Sequence, residues 1–463
     1  MADGHDGYDV IVLGAGTGGY AAALRAAVLG KRVALVERDE RLGGTCLLRG
    51  CIPSKALLES AHVMDLVNRS TEWGVEASGR VDWPKVLEAE AHIVDKKVSG
   101  LTGLIKARKI DVVQGTGRLV AGPAVEVDGR TLRAPDVVLA TGSYPRLLPG
   151  IEVTERVVTS DQIWTLSWLP TSVVIIGAGA IGMEFATAFR SFGAEVTVVE
   201  ALPRIVPLED EDTSREAAKE FRKRGITTHP NTKVQDVKDA GDHAEVTFEP
   251  SGKDAQTVSA DLCLVAVGRG PITDGLGLDE AGVETERGYV KVDATLQTNV
   301  PHVWAVGDVA ATPLQLAHSS FLEGMAVAER IAGMDPPEID YAGVPKVTFS
   351  QPEISSVGLT EAQARERGLD VETKKFQFSV LAKANITGEG GSIKVVAEQG
   401  SGQILGVHMV GPHVTELVAE ATLMYNWEAT AEDVAALIHP HPTLSEGVGE
   451  LMLSLAGKPL HTM

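Results

Sequence analysis

Residues 8–37 read YDVIVLGAGTGGYAAALRAAVLGKRVALVE, and the order of residue types within them decides the fold. A β-branched apolar run ends in Gly14-Ala15-Gly16-Thr17-Gly18-Gly19, an alanine-rich helical stretch continues to Gly30, and a second apolar run closes on Glu37. Strand, tight glycine turn, helix and strand form a unit suited to a dinucleotide. Gly14 allows the turn, Gly16 lets the backbone approach a pyrophosphate, and Gly19 lets the helix pack closely on the strand. The helix N-terminus faces the phosphate charge, and Glu37 is placed to accept from ribose hydroxyls.

One such fingerprint alone reads equally well as a plain glycine-rich turn. It recurs at 172–200, SVVIIGAGAIGMEFATAFRSFGAEVTVVE, with Gly177, Gly179, Gly182 and Glu200. The first glycine precedes the acid by 23 residues in both copies, 14 to 37 and 177 to 200. Two matched copies predict two dinucleotide sites and an α/β fold. A carboxylate at Glu200 accepts from a 2′-hydroxyl and repels a 2′-phosphate, so the second site is expected to prefer NAD(H) to NADP(H). Arg204 is the competing feature that would meet a phosphate; the acid and the intervening Ala201-Leu202-Pro203 weigh against it.

The 463 residues suggest about three domains at ~150 each. Three cysteines are too few for a secreted disulfide framework, so any disulfide here is a working one and the expected compartment is the cytosol. The start, MADGHDGYDV, lacks a basic region and an apolar core of the kind that targets secretion. The longest apolar run, VVIIGAGAIGM at 173–183, is short of the ~20 residues that span a bilayer, so no membrane partner is expected. A formal charge of −21 gives phosphate backbones no attraction, which argues against nucleic acid.

Residues 45–55, TCLLRGCIPSK, place Cys46 and Cys51 in one short segment as a metal clip, a structural staple or a redox pair. Zinc needs about four ligands, and no second pair or histidine cluster is near. In a regular helix, residues five apart have Cα atoms roughly 8.6 Å apart, too far to bridge, so a disulfide requires a distorted turn. Gly50 supplies unusual dihedrals, and Pro53 suits the first turn of a helix continuing through Lys55. A helix N-terminus there is expected to lower the thiol pKa values. Two unrelated small residues in a loop remain the bland alternative. HPHPTLSE at 439–446 raises the same metal question through His439, His441 and Glu446; flanking prolines and the lack of a further ligand argue against metal. Cys263, inside DLCLVAVG, reads as a core thiol.

GGTCLLRGCIPSKALL, the two fingerprints, LATGS (139–143), VAVGRGP (265–271), VWAVGDV (303–309), LAH (316–318) and HPHPTLSE together resemble the pyridine-nucleotide-disulfide oxidoreductases, most closely the dihydrolipoamide dehydrogenases, over essentially the whole chain. The resemblance implies FAD at the first site, NAD at the second, and a redox disulfide between Cys46 and Cys51. Cys46 would be the interchange thiol and Cys51 the charge-transfer thiol. Lys55 and Glu184 match a pair near the reactive edge of the flavin. Gly44, Thr45, Gly117, Thr141, Gly142, Asp308 and Ala317 match FAD positions, and Val234 and Gly268 match NAD positions. His441 matches the acid–base catalyst and Glu446 the acid that orients it.

The same resemblance implies a homodimer, in which His441 reaches the disulfide of the second copy, and lipoyl domains on the E2-type core of 2-oxoacid dehydrogenase complexes as partners. The implied reaction is oxidation of protein-bound dihydrolipoamide with reduction of NAD+. A quinone or diaphorase reductase, a reductase of another disulfide, and a docking scaffold are the alternatives. The chain departs from the family pattern at Leu48-Arg49, commonly Asn-Val, at Thr17, often Pro, and at Ser319, commonly Lys.

The expected architecture is two Rossmann-like domains plus a C-terminal α+β dimerisation domain. The FAD domain takes 1–150, the NAD domain 151–272, a segment at 273–342 completes the FAD region, and the interface domain takes 343–463. In the last, VETKKFQF, SIKVVAE and GQILGVHMVG alternate as strands.

Overall fold

The computed structural model describes residues 7–461. The chain forms two compact units. The first takes residues up to 56, 85–146 and 269–341. Its centre is a five-stranded parallel sheet in the order Val303–Ala305, Asp136–Leu139, Val10–Leu13, Val33–Glu37, Asp111–Gln114. Successive side chains of a strand point to opposite faces, and each face here has its own cover. Val10 and Val12 pack with Ala22, Ala26 and Val327 of the helices Thr17–Val28 and Ala317–Ile331. Ile11 and Leu13 pack with Leu119, Val125 and Leu132 of a three-stranded antiparallel sheet. Burial on both sides explains the unbroken apolar runs. The two helices cross at glycine: a Cβ on Gly324 would stand 2.3 Å from the carbonyl oxygen of Gly18.

The second unit takes 57–84, 147–268 and the chain from 342 onward. It repeats the plan with a parallel sheet in the order Ile226–His229, Glu195–Val199, Ser172–Ile176, Leu262–Val265, Val157–Thr159. A three-stranded antiparallel sheet again covers one face, packing Val246 and Phe248 against Val174, Ile176 and Cys263. Cys263 is fully buried, and burial pushes its thiol up to about 12.

The same unit contains a five-stranded antiparallel sheet in the order Lys346–Thr348, Glu353–Gly358, Ile404–Gly411, Ser392–Glu398, Val371–Gln377, whose last three strands are those the alternation predicts. Val395, Val407 and Met409 pack with Val414 and Val418 of the helix Val414–Asn426 and with Val448 and Leu451 of the helix Glu446–Leu455. No helix among the described residues is long and apolar enough to cross a membrane.

One rung of this sheet is polar: Lys346, Ser356, His408, Lys394 and Lys375 stand directly opposite one another on neighbouring strands. The helix Glu211–Lys223, capped by Asp210, brings acids to it. Lys394 Nζ lies 2.9 Å from Asp210, 2.9 Å from Asp212 and 2.8 Å from Glu361. Burial is the largest single influence on Asp210 and works against its ionisation, but the hydrogen bond and charge of Lys394, the charge of His408 and the amide of Asp212 together outweigh it and hold the carboxyl below its ordinary value. The same lysine lowers Asp212 and Glu361. Carboxylates depressed in the folded state contribute stability that is present above their unfolded values, about 4, and lost as pH falls through the folded ones. Lys394→Met leaves three acids facing one another and is expected to remove about 3 kcal/mol at neutral pH. Thermal unfolding at pH 7 and pH 4 checks this; the deficit should shrink at the lower pH.

Candidate active site

The first fingerprint closes on itself through its acid. Glu37 accepts from Ala15 N at 2.6 Å and from Asp39 N at 2.9 Å. Glu200 repeats this in the second copy, accepting from Ala178 N at 2.7 Å and Leu202 N at 2.8 Å. Each carboxylate oxygen keeps a lone pair for a ribose hydroxyl. Arg204 is turned to the carbonyls of Pro207 and Glu209, at 3.3 and 3.4 Å.

The glycines divide into two kinds. A Cβ on Gly14 or Gly177 would stand 2.3 Å from the carbonyl oxygen of Ala140 or Ala266, and both glycines have positive φ. A Cβ on Gly19 or Gly182 would meet the carbonyl oxygen of Gly14 or Gly177. These four satisfy the protein's own packing. Gly179 has nothing within 4 Å of such a Cβ, and Gly16 only Gly44 Cα at 3.9 Å. Both have ordinary backbone, φ −75° and −71°. The space beside these two fits a group from outside the chain, as a pyrophosphate requires. Gly179→Ala is accordingly expected to weaken NADH binding about tenfold or more, a cost near 1.4 kcal/mol. Its unfolding midpoint should stay within about 1 °C, since the methyl meets no protein atom. Fluorescence titration and a thermal melt check the pair.

Around the first site, Thr141 Oγ1 donates to Ile272 O at 2.7 Å, Gly142 has φ +75°, and a Cβ on Gly117 would stand 2.5 Å from Leu13 Cδ1. Asp308 lies in the turn after Val303–Ala305 and accepts from Ser143 Oγ at 2.5 Å. Arg269 donates to Ser143 Oγ at 2.7 Å and reaches Thr45 Oγ1 at 3.5 Å. Behind the turn, the fully buried Glu323 accepts from Gly307 N at 2.6 Å and from Tyr341 at 2.9 Å. Burial raises its pKa despite those donors. Ser143, Arg269 and Glu323, which the sequence reading did not single out, thus gather around the turn that carries Asp308. Ala317 opens its helix, half-buried. In the second unit, Val234 lies on the strand Thr232–Asp239, and Gly268 has φ +107°.

The cysteine segment lies against the first glycine loop. Gly43 N donates to Ala15 O at 3.0 Å, and a Cβ on Gly44 would stand 2.6 Å from Gly16 Cα. The helix Gly44–Leu48 ends where Arg49 takes φ −151°, and a new helix, Cys51–Arg69, starts at the second cysteine. That break puts Cys46 and Cys51 in hydrogen-bond contact. Arg49 ties the break to Asp39 at 2.6 Å.

The expected lowering of thiol pKa does not hold for Cys46. The hydrogen bond with Cys51, burial and the partner's charge push it up, although Lys55, in the first turns of the second helix, pulls the other way. The two thiols therefore titrate as a pair. Tyr20, one turn beyond Gly16, is pushed up to about 12 by burial and by negative charge on the cysteines. It too escaped the sequence reading.

In the second unit, Glu184 is buried in its helix and accepts from Phe349 N at 2.9 Å. His441 Nδ1 lies 2.8 Å from Glu446 Oε1, and Thr443 N donates to Glu446 Oε2 at 2.8 Å. Burial opposes ionisation of Glu446, but these two hydrogen bonds outweigh it and hold the carboxyl below its ordinary value. The pair is an imidazole held in one tautomer with Nε2 as its basic nitrogen. His439 is engaged separately, 2.8 Å from Glu420. Among the described residues, no group of three or more His, Cys, Asp or Glu side chains is placed to hold a metal ion.

Residues 8–324 match the family described as pyridine nucleotide-disulphide oxidoreductase, and 344–452 match its dimerisation domain. A dihydrolipoyl dehydrogenase of Bacillus subtilis is 42% identical, with 98% of this chain and 99% of that one covered. A mitochondrial dihydrolipoyl dehydrogenase of Pisum sativum is 38% identical over 100% and 94%. Among solved structures, LpdA from Mycobacterium tuberculosis is similar with a TM-score of 0.89 at 26% identity, over 96% of this chain and 99% of that one. Two glycine loops, a thiol pair pressed on the first of them and full-length relatives place this chain in the pyridine nucleotide-disulphide oxidoreductase family.

Proposed function

We propose that the chain is a dihydrolipoyl dehydrogenase, oxidising protein-bound dihydrolipoamide to lipoamide and reducing NAD+ to NADH. The observation that carries this is the break at Arg49 and Gly50, which sets Cys46 and Cys51 side by side against the first dinucleotide loop. Full-length relatives named for that activity support it.

His441 Nε2 takes the proton of a dihydrolipoyl thiol while Glu446 keeps the Nδ1 proton and steadies the imidazolium. The thiolate attacks the sulfur of Cys46 in the Cys46–Cys51 disulfide, and Cys51 leaves as a thiolate. The second dihydrolipoyl thiol then displaces Cys46, so the substrate leaves as a disulfide and the protein holds the dithiol. The first glycine loop, Glu37 and Asp308 would hold FAD, which would supply two-electron chemistry between the dithiol and NAD+ at the second loop. Lys55 and Glu184 serve the flavin edge in this reading.

Division into an FAD domain (1–150), an NAD domain (151–272), a central segment (273–342) and an interface domain (343–463) belongs to the same proposal. So do a homodimer in which His441 serves the second copy's disulfide, lipoyl domains and an E2-type core as partners, and a cytoplasmic location. The match to a dimerisation domain supports the homodimer.

The test is anaerobic. The flavoprotein is mixed with dihydrolipoamide, and a long-wavelength thiolate-to-flavin band is sought, followed by NADH once NAD+ is added. Flavin that NADH reduces but dihydrolipoamide leaves untouched would move the assignment to a quinone or other-disulfide reductase.

A further inference from the structure

We propose that His461 is a second proton-handling residue at the His441–Glu446 site, taking the proton that His441 removes from the thiol and delivering it to solvent. The proposal rests on the reading of His441 as the acid–base group. The helix Glu446–Leu455 carries Glu446 and Glu450 four residues apart, and so on one face. Each holds an imidazole through the same atoms. His441 Nδ1 is 2.8 Å from Glu446 Oε1, and His461 Nδ1 is 2.8 Å from Glu450 Oε1. Each second carboxylate oxygen accepts a backbone N–H, from Thr443 at 2.8 Å and from His461 itself at 2.9 Å.

The arrangement at Glu446 is thus repeated one turn further along. Both rings give their Nδ1 proton to a carboxylate and keep Nε2 as the basic nitrogen. Within the single chain both side chains project from the fold, 73% and 65% exposed. His439, the third imidazole of this group, is instead mostly buried, with Nε2 on Glu420 and Nδ1 against Gly449.

Proton balance supplies the need. Oxidation of a dithiol by NAD+ yields a disulfide, NADH and one proton, so one proton leaves per turnover. His441 Nε2 is the atom that meets the thiol, and a proton gained there has the reactant in front of it. Transfer from His441 Nε2 by way of water to His461 Nε2 and on to bulk solvent returns His441 to its basic form, and no electrons move in the relay. In this role His461 carries the proton onward and meets no reacting atom of the substrate.

The test uses the full-length flavoprotein and follows kcat in dilute buffer with increasing imidazole. His461→Gln is expected to lower kcat about tenfold in dilute buffer, part of the ~10²–10⁴ that a direct acid–base group supplies, and added imidazole should restore it. Wild type should be indifferent to buffer. Equal rates for variant and wild type, or a loss that no buffer restores, overturn the relay; the second result marks a tail that is only structural. His441→Ala separates the two readings: if it keeps full activity the acid–base assignment itself falls, and if it is inactive while His461→Gln is indifferent only the relay does.

Discussion

Cys46→Ser should lose dihydrolipoamide turnover by a factor of about 10³ or more, because the residual activity of an enzyme stripped of its covalent chemistry comes from binding and positioning alone. A serine oxygen replaces the sulfur almost isosterically, so the turn between Gly44–Leu48 and Cys51–Arg69 should survive. No disulfide can then form with Cys51, and an incoming thiolate has no sulfur to attack. Oxidation of NADH by an artificial acceptor, which needs no cysteine, should persist. Steady-state assays with both donors and a thiol count check the separation. Full dihydrolipoamide turnover in this variant would sink the proposed function.

His441→Ala should lower kcat/KM for dihydrolipoamide by about 10²–10⁴, the usual contribution of a placed acid–base group. Within its own chain the side chain is largely exposed and is hydrogen-bonded to Glu446, so the fold of each subunit should survive the change. The pH profile carries the sharper test. Glu446, held below its ordinary value, stays ionised through the whole working range, so it adds no acid limb of its own, and any limb that depends on the His441–Glu446 pair should vanish in the variant. An acid limb that persists unchanged in His441→Ala would assign the titration to another group.

Local residue order carried much of the architecture. The runs VIVL and SVVII are strands because apolar residues at every position need cover on both faces, and the glycines after them can only turn. The cysteine pair was legible as a distorted turn because a regular helix cannot bring residues five apart together. Three-dimensional coincidence was not legible. Ser143, Arg269 and Asp308 meet across separations of 126 and 165 residues, and no local pattern announces such a meeting. Tyr20 reads as one more helix residue until the cysteines are placed beside it. The rise in the Cys46 pKa depends on how closely the two sulfurs approach, which spacing does not specify. His461 carries no local signal in the sequence, since its partner Glu450 is visible only once the tail turns back on its helix.

Glu200 does two jobs with one carboxylate, which bears on attempts to redesign the cofactor preference. Its Oε2 closes the glycine loop on Ala178 N, and Oε1 fixes the turn at Leu202. Exchanging it for a basic or neutral residue to welcome a 2′-phosphate also removes the clamp that shapes the pyrophosphate cradle. An engineered change of coenzyme would therefore need a second acceptor for those two amide protons, built in from elsewhere in the loop, before any gain in selectivity became usable.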